Sequence, residues 1–233
     1  MQRLRKEARR LNGEILSISN SSDPYPFLEG KMGLMRGCLE ILCQHNCKVQ
    51  IITKSPLVTR DIDLLRRIPS MVSLTVTTDD DKTARLIEPR APPPSARLIA
   101  VETLVDEGIP VSVRVDPVIP FVNDNPESLV RTLASVGVRH VTSSTFKVRP
   151  DAWQRFSAEL PDVAEKLKPL YFEKCEVKAG YRYLPGELRL GLMERVGNLA
   201  KKYGMRFGTC REGLSSLNTA ACDGSWLLDE GFS

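Results

Sequence analysis

The chain has 233 residues, 42% hydrophobic and 27% charged, with a formal net charge of +4. Such a length buries a sizeable core in one soluble domain, and the mild positive charge tolerates a polyanionic partner without arguing for one. No run is apolar enough to span a bilayer, and basic "MQRLRKEARR" lacks the apolar stretch of a secretory signal. A cytoplasmic, reducing location is therefore expected, with the six cysteines as thiols or metal ligands rather than disulfides.

In chain order, "EILSIS" (14–19) reads as a strand, followed by "NSSDPYPFLEG" and a helix from Met32 to His45. "KVQIIT" (48–53) is the second strand, with a short helix at 62–68. "VSLTVTT" (72–78) is the third, before a long loop and a helix at 95–107. "VSVRVDPV" (111–118), a helix at 127–136 and "VRHVTSS" (138–144) complete the series. Asn46, Gly108 and Gly137 supply helix stops. Strand and helix alternate, so the expected fold is a parallel α/β sheet, open or closing toward a barrel. Beyond it, "PDAWQRF" and "PDVAEKL" read as short helices and 185–203 as a longer one. "MRFGT" reads as a short sixth strand outside the regular alternation.

Parallel strands covered on both faces normally read as continuous apolar runs. Here they alternate. Val72, Leu74 and Val76 oppose Ser73, Thr75 and Thr77, and the valines of "VSVRVD" oppose Ser112, Arg114 and Asp116. Ser17 with Ser19, and His140 with Thr142 and Ser144, repeat the pattern. Burying an unpaired polar group costs roughly 2–7 kcal/mol, so a packed barrel core is excluded. The expectation is a cavity whose inner wall binds a polar ligand. The simpler alternative is one solvent-exposed sheet face. Proline-stiffened loops after the strands, "SDPYP", "TKSP", "EPRAPPP" and "DPVIPFVND", place Asp23, Lys54, Ser55, Glu88 and Arg90 where βα-loop proteins build their sites.

Three cysteines in "CLEILCQHNC" (38–47) raise the question of a metal site. Cys38 and Cys43 are about 140° apart around a helix, and Cys47 lies beyond its stop. Three ligands cannot converge from there without unwinding the helix. Packing is expected, with Cys38 on a sheet-facing stripe with Leu34 and Ile41, and no metal site is assigned. The two histidines form no evident triad or zinc triplet, and no phosphate-cradling glycine motif is present.

The ordered series "SDPYPFLEGKMGLMRGCLEIL", "VQIITKSPLVTRDIDLL" and "VSLTVTTDDDKTARLIEPRAPPPSARLIAVETLVDEGIPVSVRVDPVIPFVND" resembles the radical SAM superfamily, in the branch similar to spore photoproduct lyase. "YGMRFGTCREG…CDGS" resembles the tail of archaeal and bacterial members. The resemblance implies a partial (β/α)6 TIM-like barrel over residues 1–150, with residues 151–233 completing the domain. It also implies a [4Fe–4S] cluster that binds S-adenosylmethionine and cleaves it to a 5′-deoxyadenosyl radical. Carried over by motif, Ser22 and Asp23 would lie near the methionyl amino group. Lys54 and Ser55, with Ser73 or Thr75, would be carboxylate and ribose partners, and Arg114 would meet the carboxylate or the substrate.

No C-x3-C-x2-C occurs in the chain. The expectation is a chain truncated at its N-terminus, without the family's first strand and cluster loop, which would not itself bind the cluster or generate a radical; the alternative is a family member that has lost its cluster. Cys210 and Cys222, flanked by glycine turns, become candidate catalytic thiols or ligands of an extra metal. Their alternative role is purely structural. A further alternative is a non-catalytic nucleoside- or nucleic-acid-binding barrel, for which Arg3, Arg5, Lys6, Arg9 and Arg10 could contact phosphates.

Overall fold

The computed structural model describes residues 1–19 and 22–230. Helix α1 (Gln2–Ala8) precedes strand β1 (Ile15–Ile18), and helices α2 (Glu29–Met32) and α3 (Leu34–Leu42) lead to β2 (Lys48–Thr53). A 3-10 turn at 56–61 and α4 (Ile62–Leu65) precede β3 (Ser70–Thr75). Helices α5 (Asp81–Ile87) and α6 (Pro94–Asp106) lead to β4 (Val111–Val118), and α7 (Glu127–Ser135) to β5 (His140–Thr145). The remainder comprises α8 (Pro150–Glu159), α9 (Pro161–Phe172), the hairpin β6 (Glu176–Lys178) and β7 (Tyr181–Tyr183), α10 (Gly186–Lys202), β8 (Arg206–Thr209) and α11 (Leu227–Glu230).

Six parallel strands form one open sheet in the order β1-β2-β3-β4-β5-β8. "MRFGT" is thus a full member, pairing with β5 from His140↔Arg206 to Ser143↔Thr209. Placing it outside the alternation was incorrect, because α8, α9 and the hairpin lengthen the crossover without changing its parallel sense. Residues 79–94 are not all loop: Asp80 caps α5 through the amides of Lys82 and Thr83. No helix among the described residues is long and apolar enough to cross a membrane.

The alternation reads as expected. Val72, Leu74, Val76, Val111, Val113, Val115 and Val141 pack with Leu39, Leu42, Val101, Leu104, Leu129, Leu133 and Val196 from the helices in one core. The opposite side chains face the concave side of the sheet in register. One rung is Ser73↔Ser112↔His140↔Arg206, and the next is Thr75↔Arg114↔Thr142↔Gly208.

The lower part of this concave face is covered by the chain itself. Gln50 donates to the Asp223 carbonyl at 2.6 Å and Thr142 to the Cys222 carbonyl at 2.6 Å. Leu227 and Leu228 pack on Met71, and the Trp226 ring meets His140 edge-on at 6.2 Å. Two glycines permit the close fit. A Cβ on Gly208 would lie 2.5 Å from the Cys222 Cα, and one on Gly224 would lie 3.0 Å from His140 Nδ1. The polar interior is therefore divided into a floor filled by residues 222–228 and an open upper part.

One helix phase differs from expectation. The buried residues of α3 are Met35, Leu39, Leu42 and, as expected, Ile41, whereas Leu34 is 56% exposed. Cys38 turns toward α1, its Sγ 3.9 Å from Met1 Sδ. A one-residue offset rotates the stripe by about 100°. Cys43 and Cys47 point at the carbonyls of Leu64 and Leu42, and burial pushes all three thiols up in pKa.

Candidate functional site

The site lies at the C-terminal ends of the strands, where a cavity of about 1560 Å³ opens. Asp23, Lys54, Ser55, Thr77, Glu88 and Arg90 line it on the strand side. Phe146 and residues of α8, including Arg155 and Phe156, form the other wall. The α8 wall was not readable as a site from sequence, since a proline-started helix after the last regular strand carries no motif.

Asp23 is fixed at the base of its loop. One carboxylate oxygen accepts from Thr53 Oγ1 at 2.6 Å and from the Tyr25 amide at 2.9 Å, the other from the Lys54 amide at 2.7 Å. The β1 and β2 loops are thereby tied together. A second tie lies behind them. Asp61, fully buried, accepts from Tyr25 Oη at 3.1 Å, Arg36 Nη1 at 3.1 Å and Arg60 Nε at 2.9 Å. Burial, reinforced by Asp61, raises the Tyr25 pKa, so that residue stays a neutral donor. Buried Glu29 caps α3 at the amides of Leu34 and Met35 and pairs with Arg60 at 2.9 Å. This network hides in the sequence as ordinary charges of the "DPYPFLEG" and "TRD" segments.

Lys54 reaches Glu88 at 2.5 Å, and Glu88 is held from behind by fully buried Arg97 at 2.7 Å. Ser55 spends its hydroxyl on the Leu57 amide, capping the 3-10 turn. Ser22 is exposed beside Asp23. Ser73 and Thr75 are buried deeper on the concave face and do not line the cavity. The Ser73 hydroxyl has no hydrogen-bond partner. Arg114 also stands below the cavity, paired with Asp116 at 2.8 Å. Burial opposes its charge, but Asp116 and the Cys210 thiol within hydrogen-bonding reach outweigh it and raise its pKa. Burial, with Cys210 and Asp223 nearby, pushes the Cys222 thiol up against the opposing pull of Arg114. Cys210, Cys222, Arg114 and Asp116 thus form one polar cluster between floor and cavity. The basic residues Arg3, Arg5, Lys6, Arg9 and Arg10 are exposed on α1 or just after it, away from the cavity lining.

The radical SAM superfamily signature matches residues 4–133. The chain belongs to that superfamily. It is 30% identical to an uncharacterized protein of Mycobacterium tuberculosis over 213 residues, 86% of this chain and 61% of the relative. It is 36% identical over 141 residues to an uncharacterized protein of Acidianus two-tailed virus, covering 57% and 46% of the two chains. The radical SAM fold is shared with a spore photoproduct lyase variant carrying dinucleoside spore photoproduct, at TM-score 0.69, 14% identity and coverage of 90% and 65%. Another variant of that lyase, with bound AdoMet and the same dinucleoside, matches at TM-score 0.65, 14% identity and coverage of 88% and 63%. The chain spans about three fifths of the length of the mycobacterial relatives.

The superfamily implies an iron–sulfur cluster, and the residues present do not fit one. The sequence contains no C-x3-C-x2-C, and among the described residues no three Cys, His, Asp or Glu side chains gather as a ligand set. The donor chemistry at the cavity suits a polar zwitterion instead, with a fixed carboxylate, a lysine and apolar aromatic walls.

Proposed function

We propose that this chain binds S-adenosylmethionine in the cavity at the strand ends, as the nucleoside-holding part of a radical SAM enzyme. The observation that supports this reading most is that Asp23 and Lys54, from the "DPY" and "TKS" segments, stand on the wall of one cavity. Asp23, with Ser22 beside it, takes the methionyl ammonium, and Lys54 takes the carboxylate in a charge-assisted hydrogen bond. Thr75 and Arg114 lie beneath, on the side of the ribose or the substrate. Bound S-adenosylmethionine supplies hydrogen-atom abstraction in this superfamily. The chain's own residues bind and orient it, and no step through a cluster is assigned to them. Cys210 and Cys222 stand with Arg114 beneath the cavity, and no step is assigned to either thiol.

Calorimetric titration with S-adenosylmethionine and S-adenosylhomocysteine tests the reading without any redox chemistry. Both ligands should bind the wild type, and Lys54→Met should weaken both by roughly tenfold, the worth of about 1.4 kcal/mol. Equal affinity for wild type and variant would remove the assignment.

A second reading, a nucleoside-binding barrel without radical chemistry, is favoured by the missing three-cysteine motif. On either reading, the 233-residue chain should stay colourless after anaerobic treatment with iron and sulfide. Visible absorption of a four-iron cluster would overturn that expectation and remove the case for the second reading.

A further inference from the structure

Lys54 is not free. Its ammonium is held by Glu88 at 2.5 Å, and both side chains line the cavity. Any anionic group reaching Lys54 must share it with this carboxylate or displace it. Displacement is costly if the abandoned partner is left as an unpaired, partly desolvated charge. Glu88 is only 10% exposed and would be such a charge, were Lys54 its sole partner.

Behind it stands Arg97, at 0% exposure. Pro94 starts helix α6, and Arg97, in its first turn, points back under the proline-rich loop. Nε donates to the Pro92 carbonyl at 2.7 Å, and Nη1 donates to the Thr75 carbonyl at 3.1 Å and to Glu88 Oε1 at 2.7 Å. The remaining terminal nitrogen, Nη2, is buried without a hydrogen-bond partner. A guanidinium offers its donors as a planar fork that matches both oxygens of a carboxylate. Here only one prong of the fork engages Glu88, because the second carboxylate oxygen is turned toward Lys54.

From this arrangement we propose that Glu88 is a placeholder counterion for the ligand carboxylate, and that Arg97 is the positioning residue that receives Glu88 when the ligand takes Lys54. In the structure Glu88 bridges the two cations. When a ligand carboxylate pairs with Lys54, the Glu88 carboxylate turns onto Arg97 and occupies the idle Nη2. Every charge keeps a partner in both states, and Lys54 stays pre-aimed at the place where the ligand anion arrives. The ligand class selected is one with a carboxylate at that end, over a plain nucleoside. The proposal rests on the reading that Lys54 meets the carboxylate of S-adenosylmethionine.

The test compares S-adenosylhomocysteine with adenosine, which lacks the amino-acid end, on wild type, Lys54→Met and Glu88→Gln, by calorimetry. Glutamine keeps the size and a hydrogen bond but removes the charge that competes with the ligand. S-Adenosylhomocysteine should bind Glu88→Gln about three- to tenfold more tightly than wild type, with adenosine unchanged. Lys54→Met should bind S-adenosylhomocysteine more weakly. If Lys54→Met weakens binding while Glu88→Gln leaves it unchanged or weakens it, the counterion role is overturned and the Lys54 assignment survives. If Lys54→Met does not alter binding, or the wild type does not bind, the assignment itself fails and the counterion role falls with it.

Should Glu88→Gln fail to fold, Arg97→Lys supplies the second arm. Lysine keeps the charge near Glu88 but cannot offer the paired fork. It should weaken S-adenosylhomocysteine binding selectively over adenosine, and equal losses for the two ligands would overturn the role of Arg97.

Discussion

The concave face of the sheet is mostly polar, Met71 and Ile52 excepted, yet its two ends are used differently. At the floor, Gln50, Ser112, Thr142 and His140 face residues 222–226 of the same chain, where Gln50 and Thr142 donate to backbone carbonyls and Ser112 pairs with His140. At the mouth, Asp23, Lys54 and Glu88 are tied to one another yet stand on the wall of an open cavity. One alternating pattern of serine, threonine and charge therefore serves both to seat a strap and to line a binding space. Inward polarity alone does not say which; only the presence of a covering segment does.

The largest expected effect comes from removing the strap's apolar anchor. Leu228 is 2% exposed against Met71, and Leu228→Ala should cost about 3 kcal/mol in urea unfolding, in the range of buried leucine truncations. Trp226 fluorescence should shift to the red in the folded variant. A loss under about 1 kcal/mol would mean that the strap is only loosely seated.

Acid should also attack the floor. Burial lowers the His140 pKa to about 4, so the neutral ring is preferred in the folded state. With an unfolded value near 6.5, its contribution is complete above that pH and is lost as pH falls from about 6.5 toward 4. The loss should be of the order of 2–3 kcal/mol. Comparing urea midpoints at pH 7 and pH 4.5 for wild type and His140→Gln isolates this histidine. An equal acid loss in both proteins would assign it to other groups.

Gly208→Ala is a finer probe, because its methyl would press on the Cys222 backbone. It should destabilise by about 1–2 kcal/mol, as overpacking does, and move Trp226 fluorescence in the same direction as Leu228→Ala. At the mouth the smallest effect is expected. Arg155→Ala, on the cavity wall, should change stability by less than about 0.5 kcal/mol. A larger loss there would erase the contrast between a structural floor and a binding mouth.

Local pattern carried much of this into the sequence. Strands 48–53 and 111–118 were legible to the residue because each is a run rich in valine, isoleucine or threonine, flanked by asparagine or proline. Asp23 and Lys54 could be singled out because each sits where a strand ends in a proline-stiffened loop. Other elements had no local signature. The β6–β7 hairpin has three residues per strand around Ala179 and Gly180, too short for a period to show. Helix α5 was concealed between an acidic run and the proline loop. The phase of α3 was missed because Leu34 and Met35 are equally apolar, and their order in the sequence does not say which of them meets the core. The strap formed by residues 222–228 was least legible, since its hydrogen-bond partners on β2 and β5 lie 80 to 173 residues away in the chain.

That separation has a kinetic consequence. Each βα unit closes over a short span, whereas seating the strap joins position 223 to position 50 and position 222 to position 142. Contacts of such span bear the largest loop-closure entropy and weigh most heavily against folding speed. The vessel's walls can assemble from neighbours, but its base must wait for distant parts of the chain to meet.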